Sequence, residues 1–193
     1  MSERLQDIQG FLREILAPRI APGNTVLDLT AGRGRDTLFL AQAVGAEGRV
    51  HAFDIQETAL TETRRLLEKQ GVAERVSLYA ADHALVRDFV SEPVNLAMFN
   101  LGYLPGSDHS ITTQAVSTLQ ALQATLELLA ENGILVLTIY RGHLGGEEEA
   151  KAVQQYLASL PRKIYSVLEG QYINQGDKAP YWILVQKKRG EIG

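Results

Sequence analysis

Three acids and one amide close successive apolar runs in this chain, and groups of those types at that spacing suit a nucleoside-bearing cofactor beside a polar acceptor. Asp28 ends Val26-Leu27-Asp28 and is followed by Gly32 and Gly34. Asp54 ends Val50-His-Ala-Phe-Asp54, Asp82 follows a third run, and Asn100 ends a fourth. Apolar runs of this kind read as buried parallel strands. Glycines after such a strand let the backbone turn tightly and approach a ligand where a Cβ would collide. A helix opening at Asp36-Thr37 would aim its free amides at the same ligand. Asp54 lies twenty positions after Gly34, the spacing at which a nucleotide-binding α/β unit offers an acid to ribose hydroxyls.

Two cofactors share this geometry. A dinucleotide loop has a third glycine for helix packing, and here that position is Thr37. Asp28 would repel a pyrophosphate, whereas it can accept hydrogen bonds or charge from the aminoacyl part of S-adenosylmethionine. The pattern Asp-x-Thr-x-Gly-x-Gly resembles motif I of class I methyltransferases, with Thr30 at a place that is commonly glycine. NAD is the second reading, and a strand-to-helix turn without a ligand is the third. On the first reading Asp28, Ala31, Gly32, Gly34, Asp36 and Thr37 belong to the cofactor loop, and Asp54, Ile55 and Gln56 to the next. Asp82 stands where such enzymes place an acid or amide near the adenine amine, with His83 beside it; Asp82 also suits a helix N-cap.

The segment Met98–His109 is too apolar and too punctuated by glycine for a generic loop. Its place matches motif IV, where many nucleic-acid amino-methyltransferases carry Asn/Asp-Pro-Pro-Tyr/Phe to hold a planar amine; this chain has Asn100-Leu101-Gly102-Tyr103. Without the two prolines, the target amine need not be the exocyclic group of a base. Asn100, Leu101 and Gly102 are expected to border the cofactor, and Asn100, Tyr103 and His109 are the catalytic candidates. Tyr103 could stack on an unstacked base, and His109 could accept a proton or cap a helix. Asp108, Tyr140, Arg141 and His143 are candidates for the substrate, the last two in a loop with Gly142, Gly145 and Gly146 that could bind phosphate or shape the mouth. There is no cysteine, so covalent catalysis by a cysteine is excluded. No His/Asp/Glu spacing matches a metal site, and no catalytic metal is expected.

The elements needed to position these residues are legible as alternation. An amphipathic helix with Leu5, Ile8, Leu12, Ile15 and Leu16 on one stripe precedes Pro18. Strands are predicted at 25–29, 49–53, 75–80, 94–99 and 134–140, with helices at 36–44, 57–70, 84–90, 112–130 and 146–159. Asn132-Gly133 is read as the end of the fourth of these helices, and strands at 163–170 and 180–187 close the chain as an antiparallel pair. This predicts an α/β, Rossmann-like fold, a mostly parallel sheet with helices on both faces; the closing pair resembles that of the seven-stranded class I methyltransferase sheet, which implies the order 3-2-1-4-5-7-6. One domain over 1–193 is expected, with a lead-in helix at 1–17 and a tail at 188–193.

Three motifs together carry a resemblance that covers nearly the whole chain: residues 27–41, Phe99–Asp108 and Tyr140–Glu149. The chain resembles the bacterial family labelled as rRNA methylases, whose members are associated with the tRNA wobble nucleoside 5-methylaminomethyl-2-thiouridine. The resemblance implies a stand-alone enzyme that transfers the methyl group of S-adenosylmethionine to the aminomethyl nitrogen on C5 of that uridine, with the tRNA anticodon arm as partner. An alkyl amine has a reference pKa of about 10.4, so its pocket must favour the neutral form. A methyltransferase for rRNA or a small amine is the alternative, in keeping with the net charge of −4. A non-catalytic cofactor-binding protein is a third reading, against which the intact Asn100 and Tyr103-Leu-Pro-Gly106 stand. With no secretory signal pattern and no apolar run near the length of a membrane span, a cytoplasmic location without membrane contact is expected. A homodimer would enlarge the surface offered to a tRNA arm.

Overall fold

The computed structural model describes residues 7–102 and 112–190. The sheet is built from β1 (Thr25–Asp28), β2 (Arg49–Asp54), β3 (Val76–Ala80), β4 (Val94–Leu101), β5 (Leu129–Ile139), β6 (Tyr165–Gln171) and β7 (Tyr181–Lys187). Their order is β3-β2-β1-β4-β5-β7-β6, as the resemblance to the class I methyltransferase sheet implies. The first five strands run parallel, and β7 inserts antiparallel between β5 and β6. β1 starts from residue 25, and its neighbours lie on opposite sides, β2 toward one edge and β4 toward the other. The strand order therefore reverses beside β1, which opens a crevice beyond its carboxyl end.

Among the described residues, six α-helices flank the sheet: α1 (Ile8–Leu16), α2 (Arg35–Ala43), α3 (Glu57–Lys69), α4 (Val86–Phe89), α5 (Ala115–Leu128) and α6 (Gly146–Ala158). Leu122 and Leu126 of α5 and Val153 and Leu157 of α6 pack with Phe99, Leu135 and Leu137 on one face. Leu12 and Leu16 of α1 and Leu40 of α2 pack with Val26, Met98 and Val136 on the other. Strands buried on both faces explain why they read as continuous apolar runs rather than alternating ones. Among the described residues, no helix is long and apolar enough to cross a membrane.

The widest departure from the expected strand boundaries is at the start of β5. α5 stops at Leu128 and β5 begins at Leu129, so Asn132-Gly133 lies inside the strand. The β4–β5 register shifts between Val94 and Leu96, Asn132 is left-handed at φ 62°, and a Cβ at Gly133 would meet the carbonyl oxygens of Ala130 at 2.8 Å and Val94 at 3.0 Å. Asn-Gly suits a bulge and a helix end for the same conformational reason, so the pair alone could not distinguish them.

Candidate active site

The glycine loop is held from below by Asp28. This side chain is fully buried; its oxygens accept from the Thr30 N–H at 3.2 Å and from the Thr37 hydroxyl at 2.6 Å. Burial, with the nearby Asp36 carboxylate, pushes its pKa up to about 7. Gly34 then turns the chain into α2 at φ 77°, where a Cβ would also strike Thr63 at 2.8 Å. As the N-cap of α2, Gly34 offers no side-chain acceptor to the first amides of that helix, which are left for a ligand.

A second acid closes the loop from β2. Asp54 accepts from the Gly32 N–H and the Gln56 N–H, both at 2.9 Å, one on each oxygen. Each oxygen keeps a lone pair for a hydroxyl donor. Burial raises the Asp54 pKa, and the two amides oppose that shift. Asp82 accepts from the Ala84 N–H at 2.8 Å, so it caps its turn and also faces the cleft. His83 is buried with its ring edge-on to Phe99, its Nε2 has no hydrogen-bond partner, and burial lowers its pKa, leaving the imidazole neutral at pH 7.

These groups face a cleft of about 780 Å³ at the carboxyl ends of the strands, within the roughly 300–1,000 Å³ usual for small-ligand sites. Of the residues expected to bind the cofactor, Ala31, Gly32, Asp36, Asp54, Ile55 and Gln56 line it, and so do Asp82, His83, Asn100 and Gly102. Asp28, Gly34, Thr37 and Leu101 do not. Asp28 and Thr37 satisfy each other beneath the loop, Gly34 packs on Thr63, and Leu101 is fully buried in β4. They sit beneath or beside the cleft rather than along its lining.

The acceptor half is organised by an amide network. Asn100 Nδ2 donates to Asp36 Oδ2 at 2.9 Å, and a carboxylate that only accepts fixes which way the amide points. Asn100 Oδ1 therefore accepts from Gln9 Nε2 at 2.5 Å; Gln9 Nε2 also lies 3.0 Å from the Thr138 hydroxyl and 3.1 Å from that of Tyr140. Arg13 Nε pairs with the other Asp36 oxygen at 2.8 Å. Burial raises the Tyr140 pKa, so its hydroxyl stays protonated at neutral pH. Arg141 reaches the Ala179 carbonyl at 3.1 Å and lies over the Tyr181 ring at 5.1 Å.

Of the substrate candidates, Tyr140 and Arg141 line this half of the cleft. His143 does not; its side chain is turned inward, 3.9 Å from Glu149. Tyr103, Asp108 and His109 lie outside the described residues. Sequence reasoning passed over Gln9, Arg13 and Lys178, which also line the cleft. Gln9 and Arg13 are four apart, hence on one side of α1, but nothing in the stripe says what that side meets.

The residues present fit a nucleoside cofactor: an acid at β2 that keeps a lone pair on each oxygen, a buried imidazole nitrogen without a hydrogen-bond partner near β3, and a glycine loop that borders the cleft at Gly32. A sheet in this order, with its cleft at the reversal beside β1, is the architecture of class I methyltransferases, and S-adenosylmethionine is the cofactor of that class. The chain belongs to the family described as "Putative rRNA methylase", whose model matches residues 50–186. A Clostridium thermocellum structure described as a "putative rRNA-methylase" is 38% identical, with a TM-score of 0.90 over 93% of this chain and 96% of that one. A Streptococcus mutans structure described as "a putative methyltransferase" in complex with SAH is 31% identical, with a TM-score of 0.85 over 97% and 99% of the two chains. A chloroplastic tRNA (mnm(5)s(2)U34)-methyltransferase of Arabidopsis thaliana is 36% identical over 179 residues, 88% of this chain. The chain spans 65% of that relative's length.

Proposed function

We propose that this chain methylates the aminomethyl nitrogen on C5 of the tRNA wobble uridine, giving 5-methylaminomethyl-2-thiouridine. The observation that carries the reading is the likeness to the Arabidopsis tRNA (mnm(5)s(2)U34)-methyltransferase across 88% of this chain. Bound S-adenosylmethionine supplies an electrophilic methyl on sulfur. Asp54 would take its ribose hydroxyls, and Asp82 with His83 would face its base.

The acceptor half suits an amine for electrostatic reasons. Asp36 is the carboxylate nearest Asn100, and Arg13 balances its charge. A balanced carboxylate does not hold an incoming amine as its ammonium form, so the nitrogen lone pair stays available. The Asn100, Gln9 and Tyr140 cluster offers amide and hydroxyl groups that can orient a neutral N–H. Displacement by an amine needs alignment more than covalent help, which agrees with a chain that has no cysteine.

The family's own description favours rRNA as a second reading. Nucleoside mass spectrometry on tRNA bearing 5-aminomethyl-2-thiouridine, incubated with the protein and S-adenosylmethionine, decides between them. Appearance of the N-methyl nucleoside supports the proposal. Unchanged tRNA alongside measurable cofactor binding would overturn it and direct the same assay to rRNA and small amines.

A further inference from the structure

Glu147, Glu148 and Glu149 open α6, and Glu149 is the one turned inward, at 2% exposure. Its Oε1 accepts from the Thr118 hydroxyl at 2.6 Å and its Oε2 from the Thr113 hydroxyl at 2.7 Å. Thr113 is itself tied to Gly102: the Gly102 N–H donates to the Thr113 hydroxyl oxygen, and the Thr113 N–H donates to the Gly102 carbonyl, both at 2.9 Å. A hydroxyl has a single proton. Because that of Thr113 goes to Glu149, its oxygen is oriented to receive Gly102. Gly102 and Thr113 are thus clasped together and referenced to α6.

The same carboxylate abuts the turn after β5. His143 Nε2 lies 3.9 Å from Glu149 Oε2, the Gly146 N–H donates to the His143 carbonyl at 3.1 Å, and a Cβ on Gly146 would meet His143 Nε2 at 3.0 Å. The acceptor half is flanked by Thr113 and Ser117 on one side and by Tyr140, Arg141 and Gly142 on the other, with Gly102 where it meets the cofactor half. Among the described residues, the Glu149 carboxylate makes no hydrogen bond to Gly32, Asp54 or Asp82 of the cofactor half.

We infer that Glu149 is a positioning residue for the methyl acceptor: it sets the spacing of the two segments that flank the acceptor half and leaves cofactor binding alone. The inference rests on the acceptor half being where the amine docks, as proposed above. A carboxylate serving only to stabilise α6 would lower stability without separating the two halves of the site.

The test uses the full chain with Glu149→Ala and Glu149→Gln. Three quantities are read: S-adenosylmethionine affinity by calorimetry, amide hydrogen exchange, and turnover of tRNA bearing 5-aminomethyl-2-thiouridine. Leaving the Thr113 and Thr118 protons without an acceptor should cost Glu149→Ala about tenfold to a hundredfold in kcat/KM for tRNA. Cofactor affinity should stay within about twofold, the scatter of a substitution that removes no contact to the cofactor half. Exchange should quicken in peptides containing Gly102 and Thr113. Glu149→Gln, whose carbonyl can still accept from Thr113, should recover most of the loss. A parallel fall in cofactor affinity, or unchanged turnover, would overturn the inference. If Glu149→Ala does not fold, Thr113→Val is judged by the same criteria. A wild-type chain that binds S-adenosylmethionine but leaves the tRNA unmethylated overturns the functional proposal instead, and Glu149 is then judged on exchange at Gly102 and Thr113 against cofactor affinity.

Discussion

Asp28 and Asp54 both end a strand beside the glycine loop, and their surroundings give them opposite tasks. Asp54 keeps a lone pair on each oxygen after accepting one amide apiece, so it can bind hydroxyls. Its replacement by alanine should weaken S-adenosylmethionine binding by about tenfold to a hundredfold, read by calorimetry, because the lost hydrogen bonds are to a charged group. Asp28 works inward. Its folded pKa of about 7 lies above the ordinary 3.8, so the native state binds a proton that the unfolded chain has released between those values. Stability from this group is therefore present below about pH 4 and is lost as pH rises toward 7. Asp28→Asn mimics the protonated form and should flatten that decline, seen as a smaller difference between urea midpoints at pH 5 and pH 7.5. An unaltered pH slope in the variant would rule out Asp28 as its source.

At the scale of elements, α1 has a larger part than its stripe suggests. Leu12 and Leu16 seat it on the sheet, and that seating carries Gln9 and Arg13 to the cleft. Replacing Arg13 with glutamine leaves Asp36 without its cation, which should favour the ammonium form of an amine acceptor. The pH dependence of kcat/KM should then move to higher pH; a profile that stays in place would show that Asp36 does not sense the acceptor. The turn from β1 into α2 depends on Gly34. Gly34→Ala combines a left-handed backbone with a clash on Thr63 and should cost at least about 1–2 kcal/mol, measured by chemical denaturation.

Over the whole molecule, the net charge of −4 confines any RNA contact to local basic groups. Those lining the cleft beyond Arg13, which is engaged with Asp36, are Arg33, Arg35, Arg141 and Lys178. If these four meet phosphates of a single-stranded loop, log affinity should fall with log salt at a slope of about −3. A much steeper slope in a filter-binding series would mean that RNA is held over a wider surface than this cleft.

What the sequence by itself determined is whatever local chemistry and periodicity encode. Apolar runs alternating with helical stripes specify a doubly covered sheet, and glycines after Asp28 specify a close-approach turn. Acids at strand ends can be found because the crevice of such a sheet lies at those ends. The roles within the site were decided by tertiary packing. Asp28 and Asp54 look alike in sequence, and only the covering of the loop buries one while exposing part of the other. Gln9 and Arg13 carry no motif, and the motif that Glu149 closes says nothing of its task, since their partners lie between 23 and 131 positions away for the first two and 31 to 36 for the third. Contacts over such distances exist only once the sheet brings its neighbours together, and no local spacing announces them.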